Sequence, residues 1–242
     1  MHKLISTVSK CDKLVQSEKH RMFELMCAHF AGMKEHSFFT DLREKNNVIL
    51  LKDQTGTLQG FSTLLEQTLR VQERECTILF SGDTIVDRQY WGHPELAKAW
   101  GRYAFDLVRR SCQRPVYWIL MTQGYRTYKF LSVYFREFWP HPYLALPLVE
   151  KEIRDQFMEK KYGSNYNKDK GIVPADKEQY CLRHNLWPAP LDNVYYQLFI
   201  KANPGFGNGD ELVCIAPVTK DNLKQAAFRF AGVPSIPICT SD

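Results

Sequence analysis

The sequence has no Cys-x-x-Cys pair and no Cys/His cluster at zinc-ligand spacing, which excludes the common structural zinc sites. Its seven cysteines (Cys11, Cys27, Cys76, Cys112, Cys181, Cys214, Cys239) are scattered along 242 residues. The odd number argues against a disulfide framework and for reduced thiols in a cytoplasmic protein. Long apolar runs are also missing. No stretch approaches the roughly 18 uninterrupted apolar residues of a membrane span, and residues 1–11 hold no run of signal-peptide length. The expectation is therefore a cytoplasmic chain with no membrane span. Excess charge of one sign is small: 32 Lys and Arg against 27 Asp and Glu leave +5, too little for a dedicated nucleic-acid binder, so no nucleic-acid partner is expected. There is no internal repeat. No nucleophile motif accompanies the pairs Asp176/His184 or His93/Asp87, which argues against Ser or Cys covalent catalysis. Gly205-x-Gly207-x-Gly209 has no lysine-bearing helix after it and reads as a hairpin loop rather than a phosphate cradle.

What is present is an ordinary globular balance, 44% hydrophobic and 24% charged, on a length that suits a single domain over 1–242. A short strand over Lys3–Val8 precedes a helix within Asp12–Met33, where Met22, Met26, His29/Phe30 and Met33 recur at helical spacing. His29 lies on that apolar stripe and reads as a core or boundary residue. A second helix is expected over His36–Lys45. Val48–Leu51, Leu58–Val71 and Cys76–Val86 then read as a three-strand meander, its first turn marked by Asp53-Gln54-Thr55-Gly56. Gly82 within the third of these strands signals a bulge or a close backbone approach. Pro94 suits the first turn of a helix whose stripe is Leu96, Trp100, Tyr103 and Leu107. Pro115–Thr122 reads as a buried strand and Tyr125–Phe138 as a helix. The proline-rich segment 140–190 reads as an insertion with one helix over Val149–Lys160. Val194–Lys201 and Glu211–Ala216 read as a final hairpin, and Asp221–Phe230 as a terminal helix.

This order, with Ile85-Val86-Asp87-Arg88-Gln89-Tyr90-Trp91-Gly92-His93-Pro94 after the third meander strand, resembles the GNAT superfamily of acyl-CoA-dependent N-acyltransferases. The resemblance is one of topology, over Lys3–Pro140 and Asn193–Ala216, and Gln89-x-x-Gly92 fits the first half of that family's pyrophosphate loop. It implies an α/β fold: a mixed, mostly antiparallel twisted sheet flanked by helices, here with an insertion before the final hairpin. In such a loop, amides at a helix start hold an anion through their partial positive charge. Pro94 removes one of those amides where the family has Gly or Ala. That departure resembles the branch of N-acyl amino acid synthases and acyl-homoserine-lactone synthases, which take long acyl chains from an acyl carrier protein. Lys98, Arg102 and Arg109 on one helix face are then candidates to meet an acidic carrier, although Asp106 shares that face and an ordinary solvated basic face gives the same pattern.

The resemblance implies an N-acyltransferase that moves an acyl group, long in this branch, from a thioester to an amine of an amino acid, peptide or metabolite. Its co-substrate is acyl-CoA or acyl-phosphopantetheine, with no permanently bound cofactor and no metal. Candidate donor-binding residues are Ile85, Val86, Arg88, Gln89, Gly92, His93, Lys98 and Arg102, with a backbone amide near Val86 polarising the thioester carbonyl. Glu66 or Asp83 is the candidate base, each reading equally as an ordinary strand residue. Tyr128 is the candidate acid, ahead of Tyr125 and Tyr134, on a helix whose aromatic stripe also reads as core. Aromatic and aliphatic residues of the insertion, among them Tyr143, Leu144, Leu148, Phe157, Tyr162 and Trp187, either roof an acyl channel or form a satellite core. The alternative reading is a catalytically silent GNAT-like protein that binds or senses an acylated carrier or small ligand; a third is an RNA-associated module.

Overall fold

The computed structural model describes residues 3–175, 181–182 and 191–231. Asp176, His184, Trp187 and Cys239 lie outside them. The chain runs β1 (Ile5–Lys10), α1 (Gln16–His29), β2 (Phe30–Ala31), α2 (Glu35–Glu44), β3 (Asn47–Lys52), β4 (Leu58–Val71), β5 (Arg74–Val86), α3 (Glu95–Arg110), β6 (Val116–Thr122) and α4 (Tyr125–Tyr134). It continues through α5 (Leu148–Tyr162), β7 (Ile172–Val173), β8 (Cys181–Leu182), α6 (Val194–Ala202), β9 (Glu211–Pro217) and α7 (Gln225–Ala231). Seven strands form one sheet in the order β1-β3-β4-β5-β6-β9-β7, and β2 pairs with β8 apart from it. Every neighbouring pair is antiparallel except β5 and β6. The fold is thus the mixed, mostly antiparallel α/β sheet expected from the sequence.

Alternation along the strands buries both faces, because successive side chains point to opposite sides. Leu79, Trp118 and Leu120 face the layer of α3, α4, α6 and α7. Ile78, Phe80 and Ile119 face α5, through Ile153, Phe157 and Met158. Farther along that second face, Val48, Leu50 and Phe61 meet Met22, Leu25 and Met26 of α1 and Phe38 and Leu42 of α2. α3 carries Glu95 in its first turn and Arg109 and Arg110 in its last, the arrangement its dipole favours.

Two expectations fail. Val194–Lys201 is not a strand: it lies within α6, capped by Asn193, whose side chain accepts from the Tyr195 and Tyr196 amides. Its aromatic residues suit a strand, but Tyr195, Tyr196 and Phe199 share a helical face and Phe199 packs on Tyr125 and Tyr128, so tertiary packing overrides strand propensity. The final hairpin is therefore absent, and the glycine-rich stretch 203–210 joins a helix to β9. Second, α4 stops at Tyr134 because Phe135 is extended and bridges to Leu223, as Trp139 does to Ile215.

The described part of the insertion mostly forms a satellite core. Phe157 and Tyr166 are buried under the sheet, whereas Tyr143, Leu144 and Leu148 are exposed.

Candidate functional site

The site begins where β5 and β6 part. Their parallel ladder runs from Thr77 opposite Val116 to Ser81 opposite Leu120 and ends there. On its other side β5 continues beside β4 as far as Val86, opposite Gly60. Between them lies a bulge: Leu64 opposes Ser81 and Ser62 opposes Thr84, so Gly82 and Asp83 together face Thr63. A bulge sharpens the local twist and bends the strand, while β6 turns into α4 after Thr122. A Cβ on Gly82 would lie 2.6 Å from both Lys45 Cε and Thr63 Oγ1, which is why this position takes glycine. The bulge that Gly82 signals in the sequence is present, and a slot lies beside Val86.

The slot opens into a cavity of about 530 Å³. Asp87 N–H donates to Gln59 O at 2.8 Å, and a Cβ on Gly60 would lie 2.7 Å from Ile85 O, so residues 85 and 87 turn their peptide groups toward β4. Alternation turns those of Val86 toward the slot. Trp91 Nε1 occupies the Val86 carbonyl at 2.8 Å, which leaves the Val86 N–H as the donor directed at the opening.

The polar end of the cavity is built from three elements. Asp41 of α2, Asp83 of β5 and Glu211 of β9 line it together with Lys45, Gln123 and Tyr162. Asp41 is bound by Lys45 and by Lys161 at 3.3 Å. Burial pushes its carboxyl up, but the two ammonium groups prevail and hold it below the usual range. Glu211 behaves differently. Burial, followed by the charges of Asp83 and Asp41, pushes its carboxyl up to about 8, against a hydrogen bond from Gln123 and the charge of Lys45. A carboxyl so placed is a proton acceptor matched to neutral or mildly alkaline pH. Among the described residues no group of three or more His, Cys, Asp or Glu could hold a metal ion, and no helix is long and apolar enough to cross a membrane.

The other end is apolar. The Trp100 and Trp118 rings lie tilted by 45° with centroids 4.3 Å apart, and both indole N–H groups donate to Ser81 Oγ, at 3.1 and 3.0 Å. Beyond them the wall is made by Phe130, Phe135, Phe199 and Ala227. The apolar arm is thus walled by α3, α4, α6 and α7, while α5 contributes Tyr162 at the polar end.

Of the candidates read from sequence, Asp83, Ile85, Val86, Arg88, Gly92 and His93 line the cavity, whereas Glu66, Gln89, Lys98, Arg102 and Tyr128 do not. Glu66 accepts hydrogen bonds from Tyr103 and Arg110. Burial pushes its carboxyl up, but those hydrogen bonds and the Arg110 charge hold it below the ordinary range, making it a structural anion. Gln89 is exposed. Arg102 is engaged by Glu95 and Ser6, and Arg109 by Asp106 at 2.6 Å, so the basic face of α3 is largely neutralised by its own carboxylates. The start of α3 is poorer in donors than the family loop: Pro94 has no N–H, and the Glu95 N–H donates to His93 Nδ1 at 3.2 Å.

Tyr128 is a core residue. It is fully buried, and its hydroxyl donates to Pro140 O at 2.8 Å. Tyr128→Phe should cost about 1 kcal/mol of stability, the usual net worth of one such bond. Any turnover should be unchanged per folded molecule, as thermal melts and rates on the same samples would show. Tyr125 and Tyr134 do reach the cavity, and the Tyr134 phenol is raised by burial. Asp41 and Glu211 escaped the sequence reading. The available signal was an acidic residue opening an otherwise apolar strand, at Glu211.

No protein-family model matches the sequence, and no curated protein matches it significantly. Solved structures with a similar arrangement include a probable N-acyltransferase from Enterococcus faecalis, 14% identical over 56% of this chain, TM-score 0.41. The match spans 33% of that longer protein. A GNAT family N-acetyltransferase from Escherichia coli in complex with CoA is 15% identical over 54% of this chain and 68% of its own, TM-score 0.39. An acyl-CoA N-acyltransferase from Pseudomonas aeruginosa is 17% identical over 55% of this chain and 88% of its own, TM-score 0.41.

Proposed function

We propose that this protein is an N-acyltransferase that moves an acyl group from a pantetheine thioester to an amine. The observation that carries the reading is the fork between β5 and β6, where the Val86 N–H faces a slot whose cavity also contains Glu211. A pantetheine arm is a narrow, extended chain with two amides, and a gap between parted strands offers it unused peptide groups along one edge. The thioester carbonyl oxygen accepts from Val86 N–H, which stabilises the charge that develops as the amine nitrogen attacks the carbonyl carbon. The C–N bond forms, the C–S bond breaks, and the amine proton passes to the Glu211 carboxylate. The thiolate leaves and takes a proton, with Tyr134 in the cavity wall the candidate donor.

The apolar arm beyond Trp100 and Trp118 favours a long acyl chain, since burying each methylene contributes about 0.8 kcal/mol. The polar end, where Asp41 and Asp83 sit, favours an amine acceptor carried by an amino acid, a peptide or a related metabolite. The donor is a carrier-bound or CoA-bound thioester, and residues 1–242 act as one acyltransferase domain with 140–190 as an insertion. The test is amine-dependent release of free thiol from acyl-CoAs ranging from acetyl to palmitoyl, with the amide product identified by mass spectrometry. Release that rises with chain length is expected. Saturable thioester binding with no release from any donor would leave a binding or sensing protein instead.

A further inference from the structure

The start of α3 lacks the Pro94 donor and has the Glu95 N–H engaged, and the cavity mouth holds a second arrangement suited to an anionic donor. α4 opens on Gly124 with no side-chain cap, and Gly124, Tyr125, Arg126 and Thr127 all line the cavity. The first turn of a helix carries partial positive charge, which remains here although the Gly124 N–H donates to Thr122 Oγ1 at 3.0 Å and the Thr127 N–H to Gly124 O at 3.2 Å. Arg126 lies over the Trp91 ring with its guanidinium carbon 4.4 Å from the centroid, and Arg88 approaches the same ring at 5.7 Å. Trp91 is itself pinned to Val86 O, so the indole holds both cations beside the slot.

An independent observation lies against that indole. His29 is only 9% exposed, its ring is 6.3 Å from that of Trp91, and it lines the same cavity. Its Nδ1 is 2.9 Å from Leu25 O. A carbonyl only accepts, so Nδ1 carries the proton and Nε2 is an acceptor, and Nε2 has no partner. Buried polar atoms are normally satisfied. The mouth therefore presents two cations and a helix start for an anion, next to a lone acceptor for a hydroxyl.

We infer that the start of α4, with Arg126, Arg88 and His29 gathered around Trp91, is the binding site for the phosphate and neighbouring hydroxyl of a phosphorylated pantetheine arm. The phosphate takes the guanidinium donors at the positive end of the α4 dipole, and the pantoyl hydroxyl donates to His29 Nε2. Specifying the donor end in this way rests on the slot being a pantetheine site. Phosphopantetheine on a carrier protein and CoA share this chemistry.

The test is calorimetric binding of 4′-phosphopantetheine and of unphosphorylated pantetheine to the intact chain. The wild type should bind the phosphorylated arm about tenfold to a hundredfold more tightly, as charged hydrogen bonds would give. Arg126→Met keeps the apolar stem on Trp91 and removes the charge, and Arg88→Gln changes an exposed side chain that leaves the fold intact. Both should shrink the preference toward unity while pantetheine binding is retained. Equal binding of the two ligands by the wild type, or a preference that survives Arg126→Met, overturns the inference. Run with CoA and with a carrier bearing phosphopantetheine, the variants should weaken both; a loss confined to CoA would assign the contacts to its nucleotide phosphates and also overturn it. Acyl transfer from acyl-pantetheine at the same efficiency as from acyl-phosphopantetheine would keep the acyltransferase reading and reject this site. A phosphate preference without acyl transfer would do the reverse.

Discussion

Glu211→Gln is expected to lower amine acylation by roughly 10²–10⁴-fold, the range for loss of a positioned base, with thioester binding intact. Burial and the charges of Asp83 and Asp41 set the folded carboxyl at about 8 against the ordinary value of 4.5. The base works only when ionised, so kcat/KM in the wild type should climb as pH rises toward about 8 and level off above it. The glutamine variant should lose that limb. Stability has the opposite sign. Between 4.5 and about 8 the unfolded chain has given up this proton and the folded one still holds it, so stability falls across the interval as pH rises. The Glu211 contribution is fully present below 4.5 and lost above about 8. Glu211→Gln should flatten this dependence and melt higher than the wild type at alkaline pH. If the pH–rate limb persists in the variant, another group titrates there and Glu211 is not the base.

The second large effect belongs to stability. Phe157 on α5 is 1% exposed and its ring lies 5.3 Å from that of Phe80, between Ile153 and Met158 above and Ile78 and Ile119 below. Removing it leaves a cavity that the paired strands cannot collapse to fill. Phe157→Ala is therefore expected to cost about 3–5 kcal/mol, measured as a shift in the urea midpoint at unchanged slope. Because Phe80 belongs to the central strand, tryptophan fluorescence and circular dichroism should report one coincident transition. A cost below about 1 kcal/mol, the range of sites away from packed cores, or two separate transitions, would show 140–190 to be an appendage with its own stability.

Legibility in the sequence followed the range of the interaction. The β3–β4–β5 meander, α3 and β6 announce themselves because period, turn residues and the Pro94 start are written within a few positions of one another. Gly82 marked the bulge for the same local reason, and the bulge is what opens the fork. α6 did not read correctly. Its side chains suit either state, and the deciding contacts are with Tyr125 and Tyr128, more than seventy residues before Phe199 in the chain. The Asn193 cap was a local sign of the helix that the aromatic run outweighed. Glu211 and Asp41 were invisible as a pair because only the sheet order, which inserts β9 beside β6, brings them into one cavity. Tyr128 and Glu66 had the right residue types and the wrong surroundings: one is sealed against Pro140, the other is tied to Arg110 and Tyr103.

The paired indoles on Ser81 bear on the cost of binding. A hydroxyl has two lone pairs, and here both are consumed by N–H groups from different elements, α3 and β6, at the last rung of the β5–β6 ladder. The crotch of the fork is thereby held from both sides, by α3 and by β6, and the strands cannot part further without breaking the buried bond from Trp118. A ligand entering such a preformed opening gives up its own freedom but orders little of the host, so most of its contact energy survives as affinity. Association should then be limited by encounter at the mouth rather than by a slow opening step.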